Sequence, residues 1–168
     1  MNQHADIRRT LLLLKRDGQI LLAMKKRGFG EGKWNGVGGK LDSGETIEQA
    51  LVRECQEEIG VTPKDYHQVA ELDFIQDADT ADPWHMYVYV YVSESWESEI
   101  TESEEMMPKW FDTDRIPFNA MWDDDEFWLP QVLAGQKVTG EFTFDINDKM
   151  LTHDVRAVEE LPLERGEA

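Results

Sequence analysis

Glu54 and Glu58 are the residues whose placement is hardest to explain as surface chemistry. They lie four apart within residues 46–60, a stretch that reads as a helix. Side chains so spaced are neighbours, and like charges there repel unless a cation lies between them. With Ile47 at zero on a helical wheel, Leu51 falls at roughly +40° and Ala50 at roughly −60°. Glu54 then falls at roughly −20° and Glu58 at roughly +20°, in the middle of the apolar stripe. Glu57 and Cys55 flank them, while Gln49, Arg53 and Gln56 point the other way. Carboxylates held against a core need partners. A hard divalent cation with oxygen ligands is a natural one, and Mg2+ commonly takes one or two carboxylates together with substrate phosphates. A plain acidic helix end facing solvent is the alternative that the wheel leaves open.

The element that must carry these carboxylates is well punctuated. Ser43 and Gly44 make a turn, and Thr46 with Gln49 fits a capping box. Gly60 stands where a left-handed C-terminal cap is wanted, and Pro63 stops any continuation. Ahead of the helix, Arg9–Lys15 and Gln19–Lys26 read as strands joined at Asp17-Gly18. The apolar run Leu11–Leu14 suits a strand covered on both faces. Arg27–Gly32 is a glycine-rich loop without the lysine and serine or threonine of a P-loop, so it reads as a loop bordering a pocket. Lys33–Gly39 is expected to be a short strand.

The spacing from Gly39 to Val61 resembles the Nudix box: glycine, five residues, Glu, seven residues, then Arg-Glu-aliphatic-x-Glu-Glu-x-Gly-aliphatic. Gly39, Glu45, Arg53, Glu54, Glu57, Glu58, Gly60 and Val61 fill it, with Cys55 where an aliphatic residue is usual. Likeness to Nudix hydrolases implies an α+β fold: an α/β/α sandwich with a mixed central sheet and a loop–helix–loop for the box. It implies Glu54, Glu57, Glu58 and the Gly38 carbonyl as ligands of Mg2+, with Mn2+ as a substitute. It implies that Arg53 ties Glu45 to the helix. A further ligand or base lies on a later loop in many members, where Glu105 is the candidate and Glu104 its rival.

Three further segments, MKKRGFGEGKWNGVGGKL, IPF and MWDDDEFWLP, resemble the animal-type oxidised-purine nucleoside triphosphate diphosphatases, functional relatives of MutT. That likeness implies hydrolysis of 8-oxo-dGTP and 2-hydroxy-dATP to monophosphate and pyrophosphate. Asn35, Trp122, Asp124 and Asp125 would read the base, with Phe29 and Phe74 as pocket aromatics and Thr10 and Lys25 at the edge. A guanine edge offers N–H donors to carboxylates, and tryptophan stacks on any purine. Adjacent acids in a dry pocket do not both ionise, so a shared proton would let the pair accept from one base and donate to another. A capping acidic turn beside a core tryptophan is the structural alternative. Asp123 stands where the animal form has proline, and the loop 77–84 is longer. Another Nudix substrate, or a Nudix-like binding module without catalysis, are the rival functions.

Composition narrows the partners. Against 17 basic residues stand 35 acidic ones, which disfavours a nucleic-acid polymer but not a metal-masked small nucleotide. The single cysteine excludes an internal disulfide. No apolar run reaches membrane-spanning length. The expectation is one domain over residues 1–168, cytoplasmic, with a monomer favoured and the oligomeric state left open, a loose terminus at Met1–Asp6 and a polar tail over Glu159–Ala168.

Beyond the box, Gln68–Gln76 and the alternating His85–Val92 read as strands, the latter half-covered and antiparallel. Asp77–Pro83 and Glu94–Glu105 read as loops, and Lys109–Phe111 as a short strand. Glu126–Leu133 is expected as a helix capped by Asp123 or Asp124, kinked or shortened by Pro130. Glu141–Phe144 and Met150–Val155 should close a final hairpin across Asn147-Asp148.

Overall fold

A computed structural model describes residues 5–76 and 80–162 of the chain. Its strands are β1 (Ala5–Arg16), β2 (Gln19–Lys25), β3 (Trp34–Asn35), β4 (Thr62–Lys64), β5 (His67–Gln76), β6 (Trp84–Ser93), β7 (Ser95–Glu97), β8 (Met106–Asp112), β9 (Lys137–Phe144) and β10 (Met150–Val158). The helices are α1 (Ile47–Ile59) and α2 (Asp125–Leu133). The main sheet runs β10-β9-β5-β6-β1-β2-β3, with β8 also paired to β2. It is mixed: β6 is parallel to β1 and antiparallel to β5.

The Leu11–Leu14 run explains the layers. Leu11 and Leu13 face a core shared with Val88, Val90, Phe142 and the α2 residues Trp128, Leu129 and Val132. Leu12 and Leu14 face the opposite core, with Tyr89, Tyr91 and the α1 residues Ile47, Leu51, Cys55 and Ile59. One helix therefore covers each face, as the expected α/β/α sandwich requires.

The alternating strand β6 departs from the half-covered expectation. Tyr87, Tyr89 and Tyr91 are as buried as the valines between them, because β1 flanks β6 and α1 covers the tyrosine face. β1 starts earlier than expected, because its pairing to β6 draws Ala5 and Asp6 into the ladder. Met1–His4, Asp77–Asp79 and Leu163–Ala168 lie outside the described residues. The acidic loop 94–105 contains β7, which pairs with β4. β8 is longer than Lys109–Phe111 because it pairs along the whole of β2. Only Trp34–Asn35 of the 33–39 segment forms a strand.

The split that makes the site lies between β1 and β2. They pair only at Lys15–Ile20 and Arg16–Gln19, then diverge. Val37 and Lys40 fill the gap by bridging to Leu12 and Arg9. Gly38 needs to be glycine here, since a Cβ would sit 1.9 Å from the Thr10 carbonyl oxygen.

Candidate active site

α1 forms where the capping signals place it. Thr46 accepts from the Gln49 amide at 3.1 Å, and the Gln49 side chain accepts from the Thr46 amide at 3.0 Å. Gly60 closes the helix at φ 75°, a left-handed conformation that glycine adopts without strain. The helix turns Ile47, Leu51, Cys55 and Ile59 into the core, and Glu58 goes with them at 5% exposure. The Glu58 carboxylate meets only the Gly38 amide, at 3.3 Å. Burial, and then repulsion from Glu54 and Glu105, push its pKa to about 8.

Arg53 does more than its position on the wheel suggests. Its guanidinium donates to Glu45 at 2.7 and 2.9 Å, and to the Lys40 carbonyl at 3.1 Å. It also donates to Glu54 at 2.9 Å and Glu57 at 3.3 Å. The Glu45 pair ties the loop before the helix to the helix, and the Arg53 contact holds Glu45 down at about 2. The expectation that Arg53 points away from the carboxylates is thus corrected: a long side chain reaches round the helix to its neighbours. Glu54 is pressed so close to Gly39 that a Cβ there would meet its carboxylate at 2.5 Å. Glu57 is the most exposed of the helix trio, with 59% of its side chain open against 14% for Glu54. Glu105 is half exposed and pairs with Arg27 at 3.6 Å. Its charge raises the pKa of Glu58.

The Nudix resemblance implies a divalent metal at these carboxylates, and the donor set suits one. It is all oxygen, and it contains a buried carboxylate with a single weak donor, a group that a cation would stabilise. Among the described residues no three acidic, histidine or cysteine side chains already converge on one point. Glu54 and Glu57 rest on Arg53 instead.

Beside this helix a cavity of about 180 Å³ opens between the diverging strands. Thr10, Lys25, Phe29, Asn35, Phe74, Trp122, Asp124 and Asp125 all line it, together with Gly38. Glu54, Glu57, Glu58 and Glu105 do not line it; the Gly38–Glu58 hydrogen bond and the packing of Glu54 on Gly39 link cavity and helix. Phe29 is 69% exposed and packs on Trp122, ring centroids 5.0 Å apart. The Asn35 side-chain oxygen accepts from the Gly36 amide at 2.9 Å, which leaves its NH2 to face the cavity contents.

In the acidic turn, Asp124 supplies the cap position of α2 without a capping side-chain bond. Its Oδ2 instead accepts from the Trp128 indole at 2.9 Å, because residues four apart share a helix face. Asp123 is exposed, whereas Asp124 and Asp125 are 7% and 3% exposed. Burial raises both of their pKa values, and Asp124 raises that of Asp125 further. Asp125 Oδ2 is buried without a hydrogen-bond partner, as is Thr10 Oγ1. α2 continues through Pro130 to Leu133 instead of stopping.

Sequence reasoning missed several walls. Trp128 was legible only as a helix residue, although its spacing from Asp124 was a usable signal. Trp84 and Phe144 line the cavity too. Gln76 holds Trp84, on which Phe144 stacks: its oxygen accepts from Trp84 at 2.9 Å and its NH2 donates to Asp148 at 3.1 Å. Arg9 also lines the cavity, and nothing in the sequence marked it.

Comparison with known proteins agrees with this fold. Residues 6–132 match the NUDIX domain. The chain is 44% identical over 154 residues to an oxidized purine nucleoside triphosphate hydrolase of Danio rerio, covering 90% of this chain and 96% of that protein. It is 41% identical over 150 residues to the protein of the same description in Mus musculus, covering 89% and 94%. The crystal structure of a MutT protein from Bacillus halodurans superposes with a TM-score of 0.76 at 21% identity, over 89% of this chain and 97% of that one, a likeness of fold.

Proposed function

The chain belongs to the NUDIX domain family and is a Nudix hydrolase, and on that premise we propose that it cleaves oxidised purine nucleoside triphosphates to monophosphate and pyrophosphate. 8-oxo-dGTP is the leading substrate, with 2-hydroxy-dATP second. The observation that carries this reading is the buried Asp124–Asp125 pair, lining the cavity beside Trp122 and Asn35. Two relatives covering nine-tenths of the chain bear the corresponding name.

In this reading the base enters between Trp122, Phe29 and Phe74. Asp124, already accepting from Trp128, presents its remaining lone pairs to the purine N–H groups. Asp125 carries the shared proton and offers it, or Oδ2, to the edge of the oxidised base. Either arrangement satisfies an atom that the protein alone leaves unpaired. Asn35 adds its NH2 to the same recognition.

Glu58, Glu54 and Glu57, with the Gly38 carbonyl, hold Mg2+ or Mn2+. The ion supplies charge neutralisation of the phosphates and lowers the pKa of water. Arg53 keeps Glu54 and Glu57 in reach of that position and fixes the Glu45 loop against the helix. Glu105, close enough for its charge to act on Glu58, takes the proton of the attacking water in this reading. Glu58 stays shielded by the core, which keeps bulk water from competing at its carboxylate.

The protein works as one Nudix domain, in the cytoplasm, as a monomer on a free nucleotide. None of the described helices is long and apolar enough to cross a membrane. Product analysis on 8-oxo-dGTP, 2-hydroxy-dATP and dGTP with Mg2+ tests the proposal. It expects pyrophosphate release and a higher kcat/KM for the oxidised bases. Orthophosphate release, or indifference to oxidation, overturns it.

A further inference from the structure

Arg9 is a cavity-lining cation that the roles above leave unused. Side chains alternate along a strand, so Arg9 projects from the same face of β1 as Leu11 and Leu13. Those leucines pack with Val88 and with Trp128 and Leu129 of α2, whereas Leu12 and Leu14 face α1. Arg9 lies opposite Val88 in the β1–β6 register, and Val88 opposite Leu72 in the β6–β5 register. Its side chain is therefore part of the apolar sheet floor beneath α2, on the other side of the sheet from α1. The start of α2 brings Asp124 and Asp125 to the same cavity. A base held by those acids lies on the floor that Arg9 shares.

Floor and acidic turn each hold an unsatisfied atom. Arg9 Nε is shielded from solvent without an acceptor, and among the described residues the side chain makes no ion pair and no hydrogen bond. Asp125 Oδ2 is buried without a donor. The two residues line one cavity, yet neither satisfies the other. The remaining cavity cations have other contacts. Lys33 stands over the Trp122 ring, 5.1 Å from its centroid, and Lys25 acts on Glu58. A shielded polar group is costly until it finds a partner. A guest that satisfies both atoms must bring an N–H to the carboxylates and an acceptor to the guanidinium. A lactam edge, C=O beside N–H, does both. The keto form of 8-oxoguanine has such edges at C6 and C8, and that of 2-hydroxyadenine has one at C2. Adenine has none.

We propose that Arg9 is a specificity-determining residue of the base pocket, whose guanidinium donates to a carbonyl oxygen of the purine while the Asp124–Asp125 pair accepts from the N–H groups beside it. The inference rests on the nucleotide reading above and deepens it, since it names the feature of the base that the cavity floor reads. Guanidinium suits the place, because it is more weakly hydrated than an ammonium and stays charged throughout. A site built to hydrogen-bond one substrate group rejects analogues that lack it, because its own polar atom is then left unpaired.

The test is a set of binding ratios in chelator. Affinities of 8-oxo-dGMP, dGMP and the deoxyribonucleoside monophosphate of 2-aminopurine are measured for wild type, Arg9→Met and Arg9→Lys. 2-Aminopurine is a guanine without its carbonyl, and all three ligands share one sugar and one phosphate. Any effect on the fold or on phosphate binding therefore cancels in the ratios. Wild type should bind 8-oxo-dGMP more tightly than the 2-aminopurine nucleotide. Arg9→Met keeps the apolar stem and removes the donors. It should weaken 8-oxo-dGMP about tenfold, the scale of a lost charge-assisted hydrogen bond, and leave the 2-aminopurine nucleotide unchanged. Arg9→Lys should recover part of the loss. If dGMP weakens with 8-oxo-dGMP, the carbonyl read is at C6; if dGMP holds with the 2-aminopurine nucleotide, it is at C8. A uniform loss across the three ligands, or no loss in any, overturns the assignment. A protein that shows these ratios but releases no pyrophosphate from oxidised triphosphates would overturn the proposed function and leave the role of Arg9 standing.

Discussion

At one end of the site, α1 buries Glu58 to 5% exposure with Glu54 beside it. At the other, the start of α2 buries Asp124 to 7% and Asp125 to 3%. Both pairs face the same problem, since adjacent carboxylates taken from water repel and lose solvation. The surroundings differ. Around α1 lie Arg53, reaching Glu54 and Glu57, and backbone donors such as the Gly38 amide. Around α2 lie an indole donor and aromatic walls, and no cation forms an ion pair with Asp124 or Asp125 among the described residues. Under the proposed function the α1 pair would hold metal and serve the chemistry, while the α2 pair would share a proton and recognise the base. The difference lies in what stands next to the carboxylates, not in the carboxylates.

The comparison breaks most visibly if charge at α1 is not matched by metal. Excess chelator should abolish hydrolysis, and Mg2+ should restore it; full turnover in chelator, followed by pyrophosphate release, would remove metal from the account. Next in size, Glu58→Gln keeps the side chain's shape and removes its charge. Loss of Lewis-acid assistance should lower kcat by about 10³-fold or more. Circular dichroism should show an intact fold, and near-normal turnover by a folded variant would contradict the assignment.

The α2 end should respond more mildly. Asp124→Asn places an amide donor where a carboxylate faced purine N–H groups. Leaving such a group unpaired costs roughly 1–3 kcal/mol, so kcat/KM for 8-oxo-dGTP should fall by about one to two orders of magnitude. The variant should fold, because a buried acid with a raised pKa is replaced by its neutral counterpart.

Stability against pH sharpens the contrast further. Glu58 titrates near 8 in the folded, metal-free protein and near 4.5 when unfolded. The folded state therefore holds the extra proton between those values, and stability falls as pH rises through that window. The upper bound is on the order of a few kcal/mol. Urea unfolding in chelator should show this fall, Glu58→Gln should flatten it, and Mg2+ should offset it. A stability that rises over the same window in chelator would refute the burial argument. Smallest of all, Trp122→Ala should weaken all purines alike, by about tenfold, because stacking is indifferent to edge chemistry; kcat/KM across three nucleotides checks it.

Legibility in the sequence followed locality. The α1 caps and the Gly60 stop depend on residues within a few turns of one another and appear as read, whereas of the expected stripe Glu58 is buried, Glu54 only partly so, and Cys55, expected on the flank, sits fully in the core. The tyrosines of β6 did not yield to the same reasoning. Whether a strand is covered on one face or both depends on β1 and α1, which are distant in sequence. Of Asp123 and Asp124, Asp124 takes the cap position but not the capping bond, because Trp128 occupies its carboxylate. The Gln76 contacts to Trp84 and Asp148, and the isolation of Arg9, are products of tertiary packing with no local signal. Positions joined by a motif were thus readable, while the walls between them were not.

The claim that one end reacts while the other recognises is tested most directly by one ratio. It is kcat/KM for 8-oxo-dGTP over that for dGTP, measured with Mg2+ in wild type, Glu58→Gln and Asp124→Asn. The account predicts a ratio well above one in wild type, preserved in Glu58→Gln although both rates drop, and collapsed in Asp124→Asn. A ratio near one in wild type, or one that collapses in Glu58→Gln and survives in Asp124→Asn, would contradict it.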